Sequence, residues 1–274
     1  MILWEKQATP NWLTIHEALL EELAPGKVAI TARPGRVRSL VQVLCKSASH
    51  ARELERKFGG SATKLPRNWL ANFQPPRSLA PLRIGHRLEI RSEPAQIPKV
   101  TDRLGLIIPA AGAFGTGEHA TTAMSLRLLE RATRSFAPGW RLLDAGTGTG
   151  ILALAAARFG AGQVLGLDLD PRAVAHARSN ARLNKIRGAQ FVRADLLRWR
   201  PAIRYDLITA NLFSELLIAA LPVLRRALHV KGGLIVSGIL RHQAAGVVRA
   251  LGRAGFRLGE KRRRGKWVAL LLAR

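Results

Sequence analysis

Asp144-Ala145-Gly146-Thr147-Gly148-Thr149-Gly150 puts a carboxylate directly ahead of glycines at every second position. Such glycines let the backbone turn sharply and approach a ligand where a Cβ would block it. Asp168 stands 18 residues after Gly150, at the end of the apolar run Val164–Leu167. An acid at that distance can accept hydrogen bonds from both hydroxyls of a ribose. A third stretch, Ala113–Thr122, reads Ala-Phe-Gly-Thr-Gly-Glu-His-Ala-Thr-Thr. Glycines flanking hydroxyl and imidazole groups suggest a loop that closes on a ligand. Asn211 follows the apolar Leu207–Ala210, and Asp195 follows Gln190–Arg193. Each of these residues also has a plainer structural reading. Thr121 and Thr122 suit helix capping, His119 a polar loop, Asp195 an N-cap or turn, and Asn211 a left-handed turn position.

The spacing differs from the dinucleotide fingerprint Gly-x-Gly-x-x-Gly. A pyrophosphate favours a bare glycine loop and would be repelled by Asp144, whereas a cationic or zwitterionic ligand tolerates it. In this respect the turn resembles the S-adenosylmethionine (AdoMet) site of class I methyltransferases. In that setting Gly146 and Gly148 form the turn and Asp168 takes the ribose. Asp195 is placed to accept from the adenine amino group, and Asn211 lies where the methyl donor sits.

The elements that must position these groups are legible from periodicity. Leu142–Ala145 and Val164–Leu167 read as strands, with helices at Ile151–Phe159 and Pro171–Leu183. Gln190–Arg193, Tyr205–Ala210 and Gly232–Ser237 read as further strands, with helices at Thr121–Arg134, Leu216–Leu228 and His242–Ala254. Phe256–Leu258 and Trp267–Ala273 are expected to form an antiparallel hairpin flanking the basic segment Glu260–Lys266. Its Lys261–Arg264 cluster is read as a solvated hairpin tip. The pattern predicts an α/β fold: a doubly wound, Rossmann-like, seven-stranded methyltransferase sheet over residues 93–274. Residues 1–92 read as a small α+β domain and linker. That domain has a helix at Trp12–Leu23, strands at Val28–Thr31 and Val37–Cys45, and an Arg33-Pro34-Gly35 turn between the strands. A helix from a Ser47 cap to Phe58 stops at Gly59-Gly60. Pro75–Pro81 is rich in helix breakers, and Leu88–Arg91 is a short strand.

Composition narrows the partners. The chain has 274 residues, of which 47% are hydrophobic, enough for a packed core. One cysteine, Cys45, excludes an internal disulfide and suits the cytoplasm. The N-terminus lacks an apolar signal core, and no apolar run is long enough to span a membrane. No metal-ligand set is expected. The net charge of +26 favours polyanions, so transient contact with rRNA or the ribosome is an expectation that stands beside simple compositional bias. The excess is divided, at +8 up to Arg91 and +18 beyond it, and so marks no separate nucleic-acid arm.

Four stretches carry a closer resemblance. They are Ala113-Phe114-Gly115-Thr116-Gly117-x-His119-x-Thr121-Thr122, Asp144–Ala153, Gly166–Pro171, and Ala210-Asn211-Leu212 followed by Leu216. Ser237–Leu240 adds to them. Over roughly residues 68–274 the chain resembles the PrmA-type ribosomal-protein methyltransferases, which act on protein eleven of the large ribosomal subunit. Glu118 and Ala120 depart from that family's usual Thr-His-Pro-Thr-Thr, and residues before 68 match it weakly. The resemblance implies an N-terminal substrate-recognition domain and AdoMet contacts at Thr122, Gly146, Asp168 and Asn211. It implies transfer of methyl groups to lysine amines of a ribosomal protein, with Asn211, Phe114 and His119 orienting amine and methyl. Sulfonium is a good leaving group, so alignment and desolvation suffice without a dedicated general base. Three other readings stay open at this point: a non-ribosomal protein lysine, as for the related electron-transfer flavoprotein β-subunit methyltransferases; a small amine; and a non-catalytic ribosome- or RNA-binding module.

Overall fold

A computed structural model of the chain describes residues 2–24, 28–32, 38–45, 47–65, 81–93, 102–109 and 119–274. The expected turn at 33–35, most of the breaker-rich stretch 75–81, and Phe114 with the rest of 110–118 lie outside the described residues. The chain divides into two compact units, Met1–Arg77 and Ser78–Arg274.

The first unit runs β1 (Ile2–Ala8), α1 (Pro10–Leu23), β2 (Val28–Ala32), β3 (Ser39–Cys45), α2 (Ala48–Phe58), β4 (Ser61–Lys64). All its pairings are antiparallel and the strand order is β2-β3-β1-β4, the split β-α-β arrangement of ferredoxin-like units. Alternation along β3 turns Val41, Val43 and Cys45 inward to meet Trp4, Leu20, Leu54 and Phe58. Trp4 satisfies its indole N–H on Gly59 O at 2.9 Å. Ser47 caps α2 by accepting from His50 N, and Gly59 ends the helix at φ +66°, both as the sequence indicates. The strands β1 and β4 are additions to the sequence reading.

In the second unit a small sheet, β5 (Leu82–Ile84), β6 (Leu88–Arg91) and β7 (Leu104–Ile107), precedes helix α3 (Ala120–Ala132). Glu130 of α3 is buried and accepts from Arg87 Nε at 3.2 Å and Arg134 Nη2 at 2.9 Å, which ties the β5–β6 turn to the helix.

The large sheet follows: β8 (Arg141–Ala145), α4 (Ile151–Arg158), β9 (Gln163–Asp168), α5 (Pro171–Leu183), β10 (Ala189–Arg193) and β11 (Tyr205–Asn211). Then come α6 (Ser214–Ala227), β12 (Leu228–Leu240), α7 (Ala244–Arg253), β13 (Arg257–Arg264) and β14 (Trp267–Ala273). The strand order is β10-β9-β8-β11-β12-β14-β13. The first five strands run parallel, and β14 is antiparallel to both of its neighbours. This is the doubly wound seven-stranded sheet expected from the motifs. Its central strands β8 and β11 are buried on both faces, which is why they read as near-continuous apolar runs. One core lies on each face of the sheet: Leu126, Leu142, Leu154 and Phe191 on one side, Leu143, Ile208, Leu224 and Val236 on the other.

Two expectations are corrected. The basic segment Glu260–Lys266 is not a hairpin tip: residues 260–264 belong to β13, and the turn is confined to Gly265-Lys266. An outer edge strand has one free side, so it can carry a run of Arg and Lys that keeps other strands from adding to it. The fifth strand of the sheet, expected at 232–237, extends from Leu228 to Leu240.

Candidate functional site

The carboxyl ends of β8, β9 and β11 converge at the point where the strand order reverses, the position at which open α/β sheets place ligands. After β8 the chain enters the glycine turn. Gly146, Gly148 and Gly150 have φ of +74°, +53° and +79°, which L residues with a Cβ rarely adopt. The turn hangs on the end of β9: Gly146 N and Thr147 N both donate to Leu167 O, at 2.8 and 2.9 Å. Asn180 of α5 donates to Thr149 O at 2.9 Å from the other side. Gly166 permits the close approach behind it, since a Cβ there would lie 2.5 Å from the Phe191 ring and 2.7 Å from Thr147 Oγ1.

Asp144 lies beneath this turn and is only 1% exposed. Its Oδ2 accepts from Thr147 Oγ1 at 2.7 Å and its Oδ1 from Thr209 Oγ1 at 2.6 Å. Burial pushes its pKa up from 3.8 to about 6, and the two hydroxyls with the Ala153 amide hold the rise to that level. Asp144 therefore shapes and charges the floor of the turn, with both oxygens already engaged. The two hydroxyls that engage them, Thr147 and Thr209, were not singled out by the sequence.

Asp168 is half-buried at the end of β9. It accepts from Gly148 N at 2.9 Å through Oδ2 and from Asp170 N at 3.0 Å through Oδ1. Each carboxylate oxygen has a second lone pair, so Asp168 can fix the turn and still accept from two ligand hydroxyls. Leu169 beside it is 63% exposed and Phe213, two residues after Asn211, is 73% exposed, so apolar surface flanks the carboxylate end of the sheet. Asp195 forms a local turn: Oδ1 accepts from Leu197 N at 3.0 Å, and Oδ2 lies 3.6 Å from Arg198 Nε. This is the turn role, with acceptor capacity remaining.

Asn211 sits within β11 and not in a left-handed turn, since Lys185 is the only non-glycine with positive φ among the described residues. Its Nδ2 donates to Thr121 Oγ1 at 3.3 Å and Thr122 Oγ1 at 3.4 Å. Thr121 and Thr122 are buried in the first turn of α3 and do not cap it; the N-cap position is His119, which makes no side-chain capping bond. Instead His119 Nδ1 pairs with Thr121 Oγ1 at 2.7 Å, and its ring meets Trp267 edge-on at 5.4 Å. Burial, then Lys266 and Arg264, hold the imidazole pKa below its usual value, so it is neutral at pH 7. Ser237, opposite Asn211 in the register, donates to Thr121 O at 3.3 Å. Asn211, Thr121, Thr122, His119 and Ser237 thus form one connected polar group at the start of α3. Thr121, Ser237 and Trp267 were not identified as site residues from sequence; the signal for Ser237 was its place in the Ser237–Leu240 stretch.

A positive-φ glycine turn, a half-free carboxylate on the next strand and adjoining apolar side chains fit an adenosyl cofactor carrying a cationic sulfonium. Among the described residues, no group of three or more His, Cys, Asp or Glu is placed to hold a metal ion. No helix among them is long and apolar enough to cross a membrane.

Comparison with known proteins agrees with this geometry. The family model "Ribosomal protein L11 methyltransferase (PrmA)" matches residues 11–274. The ribosomal protein L11 methyltransferase of Pelotomaculum thermopropionicum is 41% identical over 191 residues, which cover 69% of this chain and 61% of that protein. That of Thermus thermophilus is 41% identical over 182 residues, covering 66% of this chain and 67% of that protein. The matched part therefore spans less than two thirds of the length of the Pelotomaculum relative. The crystal structure of ribosomal protein L11 methylase from Lactobacillus delbrueckii subsp. bulgaricus aligns with a TM-score of 0.64 at 32% identity, covering 71% of this chain and 98% of that one. The site described here is carried on a chain that belongs to the ribosomal protein L11 methyltransferase (PrmA) family.

Proposed function

We propose that the chain is an AdoMet-dependent protein-lysine N-methyltransferase acting on a large-subunit ribosomal protein, L11, in the cytoplasm. The observation that carries this is the joining of two features at one sheet end: the Asp144–Gly150 turn with Asp168, and the Asn211–Thr121–Thr122 group beside it. A bound AdoMet supplies a methyl group on a sulfonium that is already a good leaving group. Asp168 would accept the ribose hydroxyls, and the backbone of Gly146–Gly148 would hold the amino-acid end. Asp144, ionised above pH 6, contributes negative charge beneath the turn that favours a cationic ligand.

The acceptor lysine must arrive deprotonated, and its pKa in water is about 10.4. A site shielded from water lowers that pKa, because burial disfavours the ammonium. Asn211 spends its Nδ2 on the two threonines, so Oδ1 is the group that accepts an N–H from the amine and turns its lone pair toward the methyl carbon. His119 acts through Thr121 and positions Asn211. Thr122 would have the same role from the cofactor side and Asp195 would take the adenine amino group; the orienting role of Phe114 rests on the sequence resemblance alone. The first unit is assigned to substrate recognition. Ile15 and Leu19 on α1, 72% and 41% exposed, offer it an apolar contact surface.

Transfer of label from radiolabelled AdoMet to purified L11, followed by mass mapping, tests the reading. Label on L11 lysines supports it. Label on another protein of the source lysate with none on L11 moves the substrate and keeps the chemistry. AdoMet binding without transfer to any protein would remove the enzymatic assignment.

A further inference from the structure

The opposite end of the large sheet holds a cavity that the transfer site does not use. Its volume is about 600 Å³, within the range typical of small-molecule sites. It lies where β11 and β12 begin and β14 ends. Asn211 is six residues along β11 from Tyr205, so the cavity is roughly 20 Å from the transfer site. Five arginines line it: Arg200 and Arg204 from the segment before β11, Arg225 and Arg226 from the last turn of α6, and Arg274 after β14. No Asp or Glu side chain lines it, and none of the five arginine side chains forms a salt bridge with an Asp or Glu among the described residues.

Two of these arginines are fixed. The half-buried Arg225 donates through Nη1 to Ala254 O, and a Cβ on Gly255 would collide with that guanidinium, so the glycine makes room for it. The half-buried Arg274 donates to Leu228 O. Arg200, Arg204 and Arg226 are exposed around them. Cations in the last turn of a helix are ordinary, which accounts locally for Arg225 and Arg226. It does not account for three more guanidiniums that converge on the same space from two other segments. The remaining wall is apolar: Pro201, Ala202 and the 41%-exposed Ile203. Burial, then Arg225 and Arg204, also lower the pKa of Arg274, as expected for a guanidinium crowded by other cations.

We propose that this cavity is a second ligand site, one that takes a small molecule bearing a polyphosphate, such as a nucleoside triphosphate. Guanidinium forks match phosphate oxygens in pairs. The fixed pair at the back grips the inner phosphates and the exposed three close on the outer ones. The Pro201–Ile203 wall covers the nucleoside. A concave site fed by three chain segments suits a compact anion better than an RNA strand, which needs a groove and aromatic platforms that this lining lacks.

The test is calorimetric titration of the full chain at low salt with inorganic triphosphate, ATP and GTP as probes. The comparison is the Arg204→Ser/Arg226→Ser variant, which leaves the two fixed arginines in place. Saturable binding at one site is expected, weakened about tenfold for each arginine removed, with AdoMet affinity unchanged. Arg131→Ser/Arg264→Ser, one residue on α3 and one at the end of β13, neither of them lining the cavity, should leave triphosphate binding intact. Absence of binding by all three probes overturns the proposal. So does equal weakening in the two double variants, which would show only the general charge of the surface. If an RNA oligonucleotide loses affinity in Arg204→Ser/Arg226→Ser while no triphosphate binds, the cavity belongs to an RNA contact and the small-ligand assignment falls.

Discussion

Asp144→Asn should make the protein more stable at neutral pH and leave it nearly unchanged in acid. The folded carboxyl has a pKa of about 6 against 3.8 ordinarily, mainly because burial disfavours its charge. A raised acid pKa means that the folded state holds the proton more tightly than the unfolded one. Between 3.8 and about 6 the folded chain keeps a proton that the unfolded chain has lost, so stability falls as pH rises through that window. Above about 6 the loss is constant. At about 1.4 kcal/mol per unit the interval amounts to about 3 kcal/mol. Asparagine has the same shape and keeps two bonds: its Oδ1 accepts from one threonine hydroxyl, and the other hydroxyl rotates to accept from Nδ2. The variant should therefore exceed the parent by about 3 kcal/mol at pH 8 and by about 1 kcal/mol at pH 4.5. Urea unfolding of both proteins at the two pH values measures this, and taking the difference cancels other titrating groups. A difference that does not change with pH would mean that Asp144 ionises as freely in the fold as in water. The account of the turn's buried charge would then be wrong.

Three further predictions follow from the same geometry. Asp168→Ala removes the acceptor for two ribose hydroxyls, each bond to a charged group being worth about 1.5 kcal/mol or more. AdoMet affinity should fall about a hundredfold or further, and a calorimetric titration with unchanged affinity would refute the role. Asn211→Ala should lower kcat far more than it raises the AdoMet Kd, because Oδ1 is assigned to the amine. Steady-state kinetics showing the reverse would make Asn211 chiefly a cofactor ligand. Glu130→Gln breaks a buried carboxylate with two arginine partners and should cost about 3 kcal/mol, read by thermal unfolding. Burial raises the Glu130 pKa, but Arg134 and Arg87 more than offset it and leave it below the usual value. Its contribution to stability is therefore present above the unfolded pKa and is lost as pH falls through the lower folded one.

The parts of this molecule that sequence revealed are those whose cause is local. The β8 turn was legible because an apolar run, an acid and alternating glycines occupy adjacent positions. Helix α5 was legible from Pro171 to Leu183 because Asp170 caps it and Pro171 opens it. What escaped depends on contacts distant in sequence. Asp144 carries the motif, but its engagement by Thr209 is set by the pairing of β8 with β11, across 65 residues. In a linear reading Thr209 is one hydroxyl in an apolar strand. The hairpin of β13 and β14 at the sheet edge was legible, but β13 was read as ending at Leu258, because its run of arginines resembles a solvated tip more than a strand, and only the pairing with β14 carries the strand through to Arg264. Strands β1 and β4 were missed because each is a short, partly polar segment whose regularity comes from its partners.

The arrangement around Asn211 bears on where the proton of the substrate goes. His119 is the nearest candidate base in the polar group, but burial and the cations Lys266 and Arg264 depress its pKa, and its Nδ1 is taken by Thr121. A base weaker than ordinary imidazole gains little from an ammonium with a pKa of about 10.4. The other members of the group are hydroxyls and an amide, none of which takes up a proton near neutrality. What they share is fixed position: Ser237 holds the Thr121 carbonyl, Thr121 and Thr122 hold the Asn211 amide, and all three hydroxyl residues are buried. Side chains locked in this way suit a reaction limited by alignment, in which a wrong angle between nitrogen, methyl and leaving sulfur costs more than a missing base. Under the proposed transfer to lysine, the proton would be shed to solvent before the amine enters. The place to look for rate control is the geometry that Asn211 imposes on the neutral amine.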